Sequence, residues 1–399
     1  MELIDRIYTD KVLSYLGKGI IIVLTGQRRV GKSCVLKCLE RKIKALHPDT
    51  NIIYINKEYA EFNGIKNDED LNQYLSGCLK DGERNCVLID EVQDIEHFEK
   101  SLRSLQAKNE CDIVVTGSNA KMLSSEISTY IAGRYIEIRI HGLSYPEFIT
   151  FHRLADSDET LYKYLSYGGL PHLAAIGIEN EDIIKDYLRD IYNTVAMKDI
   201  INRENIRNVR FLNDLIVFLA DNTGKNISAT NVSHYMKGQG QNISPAVIIN
   251  YISYFINAYV INKVPRYDIH GKKIFESNEK YYFEDMGLKN SLVGLNLRRD
   301  IEKLMENAVY QHLQNKGYNV RVGQLQKAEI DFVASKGDER LYVQVSYLIS
   351  NPETRKREFG NLININDNFP KYVVTMDPLA DYGDYNGIKS MHLRTFLLS

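Results

Sequence analysis

The sequence predicts an α/β protein of several domains that opens with a parallel sheet. Three observations predict it. First, an apolar run from Gly19 to Leu24 meets the turn Gly26-Gln27-Arg28-Arg29-Val30-Gly31-Lys32-Ser33, then a stretch with apolar residues at Val35, Leu36 and Leu39. That order reads as buried strand, tight loop, amphipathic helix. Second, another apolar run, Cys86 to Ile89, ends on Asp90-Glu91. Third, the 399 residues exceed what one core organises, and strand and helix patterns recur up to the C-terminal end.

Composition narrows the class. Apolar residues at 44% and charged residues at 26% are ordinary for a soluble globular protein. A net charge of -2 gives no overall pull toward nucleic acid or membrane, so any nucleic-acid site is a local patch. No apolar run approaches the ~20 residues of a spanning helix. The start "MELIDRIYTDK" has acidic residues and no apolar signal-peptide core, which predicts a cytoplasmic protein. The cysteines are Cys34, Cys38, Cys78, Cys86 and Cys111, without paired CxxC spacing, and read as free thiols. Cys34 and Cys38, one helical turn apart, have no nearby His to complete a metal site and read as small buried residues.

Residues 1–150 carry the densest chemistry. The loop fits G-x-x-x-x-G-K-[ST]. Its glycines let backbone N–H groups curl toward phosphate oxygens, and the following helix adds its positive end. Lys32 is placed to reach β- and γ-phosphates and Ser33 to bind Mg²⁺, with Gly26 to Cys34 as the nucleotide contacts. A carboxylate at a strand end, Asp90, holds Mg²⁺ through water, and Glu91 polarises an attacking water. Alone, such an acidic end reads better as a solvated turn; paired with the phosphate loop it does not. "NIIYINKE" is a strand between the loop and Asp90, and "CDIVVTGSN", Cys111 to Asn119, is a strand ending in polar side chains.

At this point the sequence resembles the AAA+ ATPases. The resemblance implies a parallel sheet with helices on both faces, ATP and Mg²⁺ as cofactors, and a strand-end group that senses the γ-phosphate. Asn119 or Ser118 fills that role, Asn119 being preferred because an amide both donates and accepts. Arg134 precedes the alternating strand Tyr135 to Ile140. It reads as a finger toward phosphate, in cis or from a neighbouring subunit, or as a solvated, salt-bridged arginine. Arg28 and Arg29, inside the loop, are candidates for the same task and otherwise pack the loop or face a partner. "GQRRVGKS", "LIDEVQ", "TGSNAKML", "AGRY", "YGGLP" and "EIDFVA" together resemble a bacterial and archaeal group of AAA-type ATPases with a C-terminal domain of uncharacterised function.

Residues 151–206 read as a helical lid. Gly168-Gly169 and Pro171 interrupt it, as a hinge to the core or a plain inter-helix turn. Residues 207–295 read as a winged helix. Helices near Val209 to Leu219, Ser228 to Met236 and Pro245 to Ala258 precede two β-like runs joined by His270-Gly271-Lys272-Lys273. Arg207 to Lys289 holds ten Lys/Arg against seven Asp/Glu, a modest net +3. The third helix, "PAVIINYISYFINAY", has neither Arg nor Lys. Non-specific DNA contact through Lys272 and Lys273, or protein docking, therefore outranks sequence-specific reading.

Residues 296–399 run helix, three strands, helix, strand, an order that resembles the PD-(D/E)XK nuclease fold. That resemblance implies a second metal site at Glu306, Asp331 and Gln344, with Gln344 in place of the family's Glu and Ser346 in place of its Lys. A hydroxyl cannot replace the water-activating ammonium. The domain reads as nuclease-like and inactive, unless Lys327 or Lys336 substitutes in space. The expected activity is Mg²⁺-dependent ATP hydrolysis coupled to the winged-helix and nuclease-like modules, with DNA or a protein client as partner, no membrane, and assembly into an oligomer allowed. The rivals are an ATP-gated switch or interaction module with little turnover, and an ATP-regulated DNA nuclease.

Overall fold

A computed structural model describes residues 3–120, 131, 133–326, 328–349, 352–378 and 384–399. The chain divides into two compact units, Met1–His141 with Asn257–Tyr259, and Gly142–Ile256 with Val260–Ser399.

The first unit is built on five strands: β1 (Ile21–Thr25), β2 (Asn51–Asn56), β3 (Asn85–Asp90), β4 (Cys111–Gly117) and β5 (Tyr135–Arg139). They form one sheet in the order β2-β3-β4-β1-β5, with every pairing parallel. β1 and β3 are buried along their whole length, which is why both read as continuous apolar runs. Helix α2 (Lys32–Leu46) buries Val35, Leu36, Leu39 and Ile43, a one-faced helical spacing. β2, the strand between the loop and Asp90 in sequence, is at the edge of the sheet, and β4 lies between β1 and β3. All the strands are parallel, so their C-terminal ends share one edge. Thr25 pairs with Gly117 and Arg139, and Asn56 with Asp90.

The second unit begins with helices, among them Tyr145–His152, Asp158–Tyr167 and Glu181–Ile191. Residue 150 lies inside the first of these, and the first compact unit ends at His141. Gly168-Gly169 is an anchored turn rather than a hinge. Gly168 has φ +76°, and a Cβ there would come within 2.4 Å of the Asp285 carboxylate oxygens. The Gly169 N–H donates to Asp285 at 2.7 Å, and the Asn290 amide donates to Leu165 O and Ser166 O.

Three helices follow, Val209–Asp221, Ala229–Gly238 and Pro245–Asn257, then the hairpin β7 (Ile261–Asp268) and β8 (Lys273–Phe283). The short β6 (Asn226–Ile227) pairs with β8. The β7–β8 register shifts between Val264 and Arg266, around Pro265, which has no N–H to give the ladder. Helix Leu297–Asn315, β9 (Asn319–Leu325), β10 (Ala328–Lys336), β11 (Glu339–Ser346), helix Pro352–Ile363 and β12 (Lys371–Thr375) come next. β13 (Asp384–Tyr385), β14 (Ile388–His392) and a short helix end the chain. The hairpin and the C-terminal strands form one nine-stranded sheet, β13-β14-β12-β11-β10-β9-β7-β8-β6. No sheet ends near residue 295: β7 pairs in parallel with β9, Arg266 opposite Val322. Among the described residues no helix is long and apolar enough to cross a membrane. All five cysteines are free; Cys38 is buried on α2, whereas Cys34 is exposed.

Candidate functional site

The loop between β1 and α2 is shaped by its backbone. Gly26 has φ +141°, and a Cβ there would sit 2.2 Å from Ile140 O, so only glycine fits. Gly31 (φ +96°) starts α2. Lys32 is buried and its Nζ donates to Gly26 O and Gln27 O, both at 3.0 Å, folding the ammonium over the loop. Arg6, from the segment before α1 (Ile7–Leu13), donates to Val30 O and His141 O at 2.9 Å each. Sequence reasoning missed this support.

Asp90 and Glu91 lie at the same sheet edge. The Thr116 hydroxyl donates to Asp90 Oδ1 at 2.6 Å and accepts from Glu91 N–H at 2.9 Å. Asn56 Nδ2 donates to Asp90 Oδ2 at 3.3 Å. Glu91 Oε2 accepts from the Gln93 amide and from the Ser118 hydroxyl, the latter at 3.2 Å. Burial pushes the Asp90 carboxyl above its usual range, with bonds from Thr116 and Ser33 opposing. For Glu91 burial also pushes upward, but Lys32, Gln93, Arg28 and Ser118 together hold it below its usual range. Lys32 and Arg28 thus act on the Glu91 carboxylate, and Ser33 meets Asp90. A hydroxyl beside a strand-end carboxylate, under a loop shaped for phosphate, fits Mg²⁺, which takes one or two protein oxygens plus phosphate and water.

The strand-end hydroxyl of Ser118 is hydrogen-bonded to Glu91, and Asn119, half-buried, follows it. Arg134 is exposed at the N-terminal end of β5. Its carbonyl accepts from Ile21 N–H at 3.0 Å and its Nη1 donates to Gln106 at 3.3 Å. The loop begins beyond the other end of β1, five extended residues away, roughly 16 Å. Arg134 therefore cannot serve the phosphate site of its own chain. Arg139 is the arginine at the loop end of β5, opposite Thr25 and 4.8 Å from the Tyr259 ring. Thr116, Asn56 and Gln93 were also missed; the available signal was a polar residue at or just beyond the end of a strand.

Residues 18–149 match the family described as AAA domain, and residues 158–299 match a domain of unknown function, DUF8612. An uncharacterized protein of Haemophilus influenzae is 32% identical over 397 residues, covering 98% of this chain and 97% of its own. The chain belongs to this AAA-type ATPase group. An uncharacterized protein of Methanocaldococcus jannaschii is 29% identical to this AAA-type chain over 85% of it and 77% of its own length. The Walker-type ATPase PABY2304 of Pyrococcus abyssi is similar in fold. Its TM-score is 0.51 at 16% identity, covering 72% of this chain and 95% of that one.

The second unit of this AAA-type ATPase holds another cluster. Glu306, on helix Leu297–Asn315, and Asp331, on β10, face one another across it, and Gln344 Oε1 accepts from Asp331 N–H at 3.4 Å. A cation also sits there, supplied by β8. Lys280 Nζ is 2.8 Å from Glu306, 2.9 Å from Glu329 and 3.7 Å from Asp331. Tyr282 donates to Glu306 Oε1 at 2.5 Å, and Val345 N–H to Asp331 Oδ2 at 2.8 Å. Burial, then the Glu306 charge, pushes the Asp331 carboxyl up to about 8. The three carboxylates raise the Lys280 ammonium above its usual value although burial opposes. An ammonium therefore lies beside Glu306 and Asp331 although Ser346 stands on β11. Neither suggested substitute is the source: Lys336 Nζ donates to Lys316 O at 2.9 Å, and Lys327 lies outside the described residues.

Proposed function

We propose that this chain is a Mg²⁺-dependent ATP hydrolase that couples nucleotide state to a winged-helix and nuclease-like second unit. The observation that carries the reading is the arrangement at one sheet edge. Lys32 lies over the phosphate loop, Ser33 meets Asp90, and Glu91 is held by Gln93 and Ser118. Lys32 neutralises β- and γ-phosphate charge, Ser33 and Asp90 would hold Mg²⁺, and Glu91 takes a proton from the attacking water. Bound Mg²⁺ would neutralise charge developing between the β- and γ-phosphates. Both acids stand in place, which favours turnover over a switch that only binds ATP. Lys32→Ala should abolish ATP binding and Mg²⁺-dependent phosphate release; release at the parent rate would refute the reading.

Arg134, exposed at the far end of the sheet, fits a finger acting on another copy's phosphate, and so an oligomer. The order of three helices, a short strand and a hairpin supports the winged-helix reading. Lys272 and Lys273 are exposed at its turn, suited to the DNA backbone or an acidic protein client. Helix, three strands, helix and strand support the nuclease-like reading of the C-terminal region. Five free thiols are in keeping with a cytoplasmic location.

A further inference from the structure

The cluster around Lys280 has two independent features. Three carboxylates from two elements approach one point: Glu306 from a helix, Glu329 and Asp331 from the same face of β10. A buried ammonium, 4% exposed at its side chain, occupies that point. It belongs to a different part of the chain, the hairpin strand β8, where Lys280 and Tyr282 alternate onto one face and both bond Glu306. Gathering half-buried carboxyl groups is unfavourable unless a cation meets those that ionise. Divalent ions usually do this through oxygen ligands. Here a covalently tethered cation does it.

We propose that Lys280 stands where a divalent cation would bind, and that it holds the C-terminal carboxylate site closed to metal. The oxygens lie at the distances of an ammonium, 2.8 to 3.7 Å from Nζ. A divalent ion needs them at about 2.0–2.6 Å. Among the described residues no group of three or more His, Cys, Asp or Glu is set to hold a metal. Side-chain rotations that move the oxygens inward by about an ångström or less would close most of the gap once the ammonium is gone. The native chain is then metal-free at this site, and the hairpin strand is what keeps it so. The ATPase of the first unit is not needed for this inference.

The test uses the full chain without nucleotide, in a Ser33→Ala background that silences the metal position by the phosphate loop. Free Mn²⁺ is measured by its electron paramagnetic resonance signal. The parent should bind no Mn²⁺ at this site. Lys280→Ala, which also opens room for the ion, should gain one Mn²⁺ per chain, with a dissociation constant at least tenfold below any binding the parent shows, and Lys280→Ala with Asp331→Asn should lose it. Lys280→Arg, which keeps the charge, should behave as the parent. Lys280→Ala leaves half-buried carboxyl groups unpaired, so its thermal midpoint is followed as well. Mn²⁺ should raise that midpoint by several degrees and leave the double variant's unchanged. If Lys280→Ala does not fold, Lys280→Gln gives the same comparison with less disturbance. A folded, neutral Lys280 variant with no gain in Mn²⁺ binding, or parent protein that binds one Mn²⁺ here, overturns the proposal.

Discussion

Replacing Thr116 by Val tests how the two acids of the nucleotide site are held. Thr116 is fully buried; its hydroxyl donates to Asp90 Oδ1 at 2.6 Å and accepts from Glu91 N–H at 2.9 Å. Valine keeps the shape and loses both bonds. A hydrogen bond to a charged group contributes about 1.5–3 kcal/mol, and a buried N–H left unmet costs about 1–3 kcal/mol. Both effects come from one hydroxyl, so they do not simply add, and a loss of about 2–4 kcal/mol is expected. Thr116→Ser keeps the hydroxyl and loses one methyl, about 1 kcal/mol. Because the chain has two units, the readout should report the first alone. Loss of fluorescent ATP-analogue binding across a urea series does so. The valine midpoint should fall well below the serine midpoint. Coinciding midpoints would mean that the hydroxyl does not hold the acids together.

Other consequences follow from the same contacts. The Asp331 carboxyl, pushed up to about 8, keeps its proton in the folded chain where the unfolded chain releases it near pH 4. Its contribution to stability is therefore present at low pH and lost as pH rises from about 4 to about 8. Asp331→Asn should flatten urea midpoints across that window; an unchanged slope argues against a buried, protonated Asp331. Gly168→Ala should cost roughly 1–3 kcal/mol or more, since it adds a Cβ at positive φ against the Asp285 carboxylate, and a thermal melt equal to the parent's would remove the anchored-turn account. If Arg134 acts across subunits, mixing Arg134→Ala with Glu91→Gln protein should restore some hydrolysis, and activity per chain should fall on dilution. No rescue together with a concentration-independent rate would reject it. Purified protein should leave linear, branched and single-stranded DNA intact with Mg²⁺ or Mn²⁺. Cleavage that vanishes in Asp331→Ala would make the C-terminal cluster catalytic.

What was legible in the sequence was local or repeated. The phosphate loop could be read because its chemistry sits in eight consecutive residues, with glycines where the backbone takes positive φ. β1 and β3 could be read because strands buried on both faces leave uninterrupted apolar runs. Glu306 and Asp331 both lie beside Lys280, and Gln344 accepts from the Asp331 N–H. Long-range register was not legible. Thr116 reaches Asp90 because β4 lies beside β3, and nothing in either segment states that neighbour. Strand direction decided Arg134: its position before β5 puts it at the wrong end of a parallel sheet for its own phosphate site. Lys280 escaped notice because its strand was read as a wing, whereas β7 pairs with β9 and carries the hairpin into the C-terminal sheet. The double glycine left hinge and turn open because the Asp285 carboxylate that pins it lies more than a hundred residues later.

The most direct test of the central claim is steady-state ATP hydrolysis by Glu91→Gln beside equilibrium ATP binding by the same protein. Glutamine keeps a side chain of the same length next to Ser118 and Gln93, but its amide is far too weak a base to take the water's proton. The account predicts ATP bound about as tightly as by the parent, with Mg²⁺-dependent turnover reduced by about a hundredfold or more. Turnover at the parent rate with binding intact would contradict it, because Glu91 would then not be the base and this sheet edge would not be the site of hydrolysis as described.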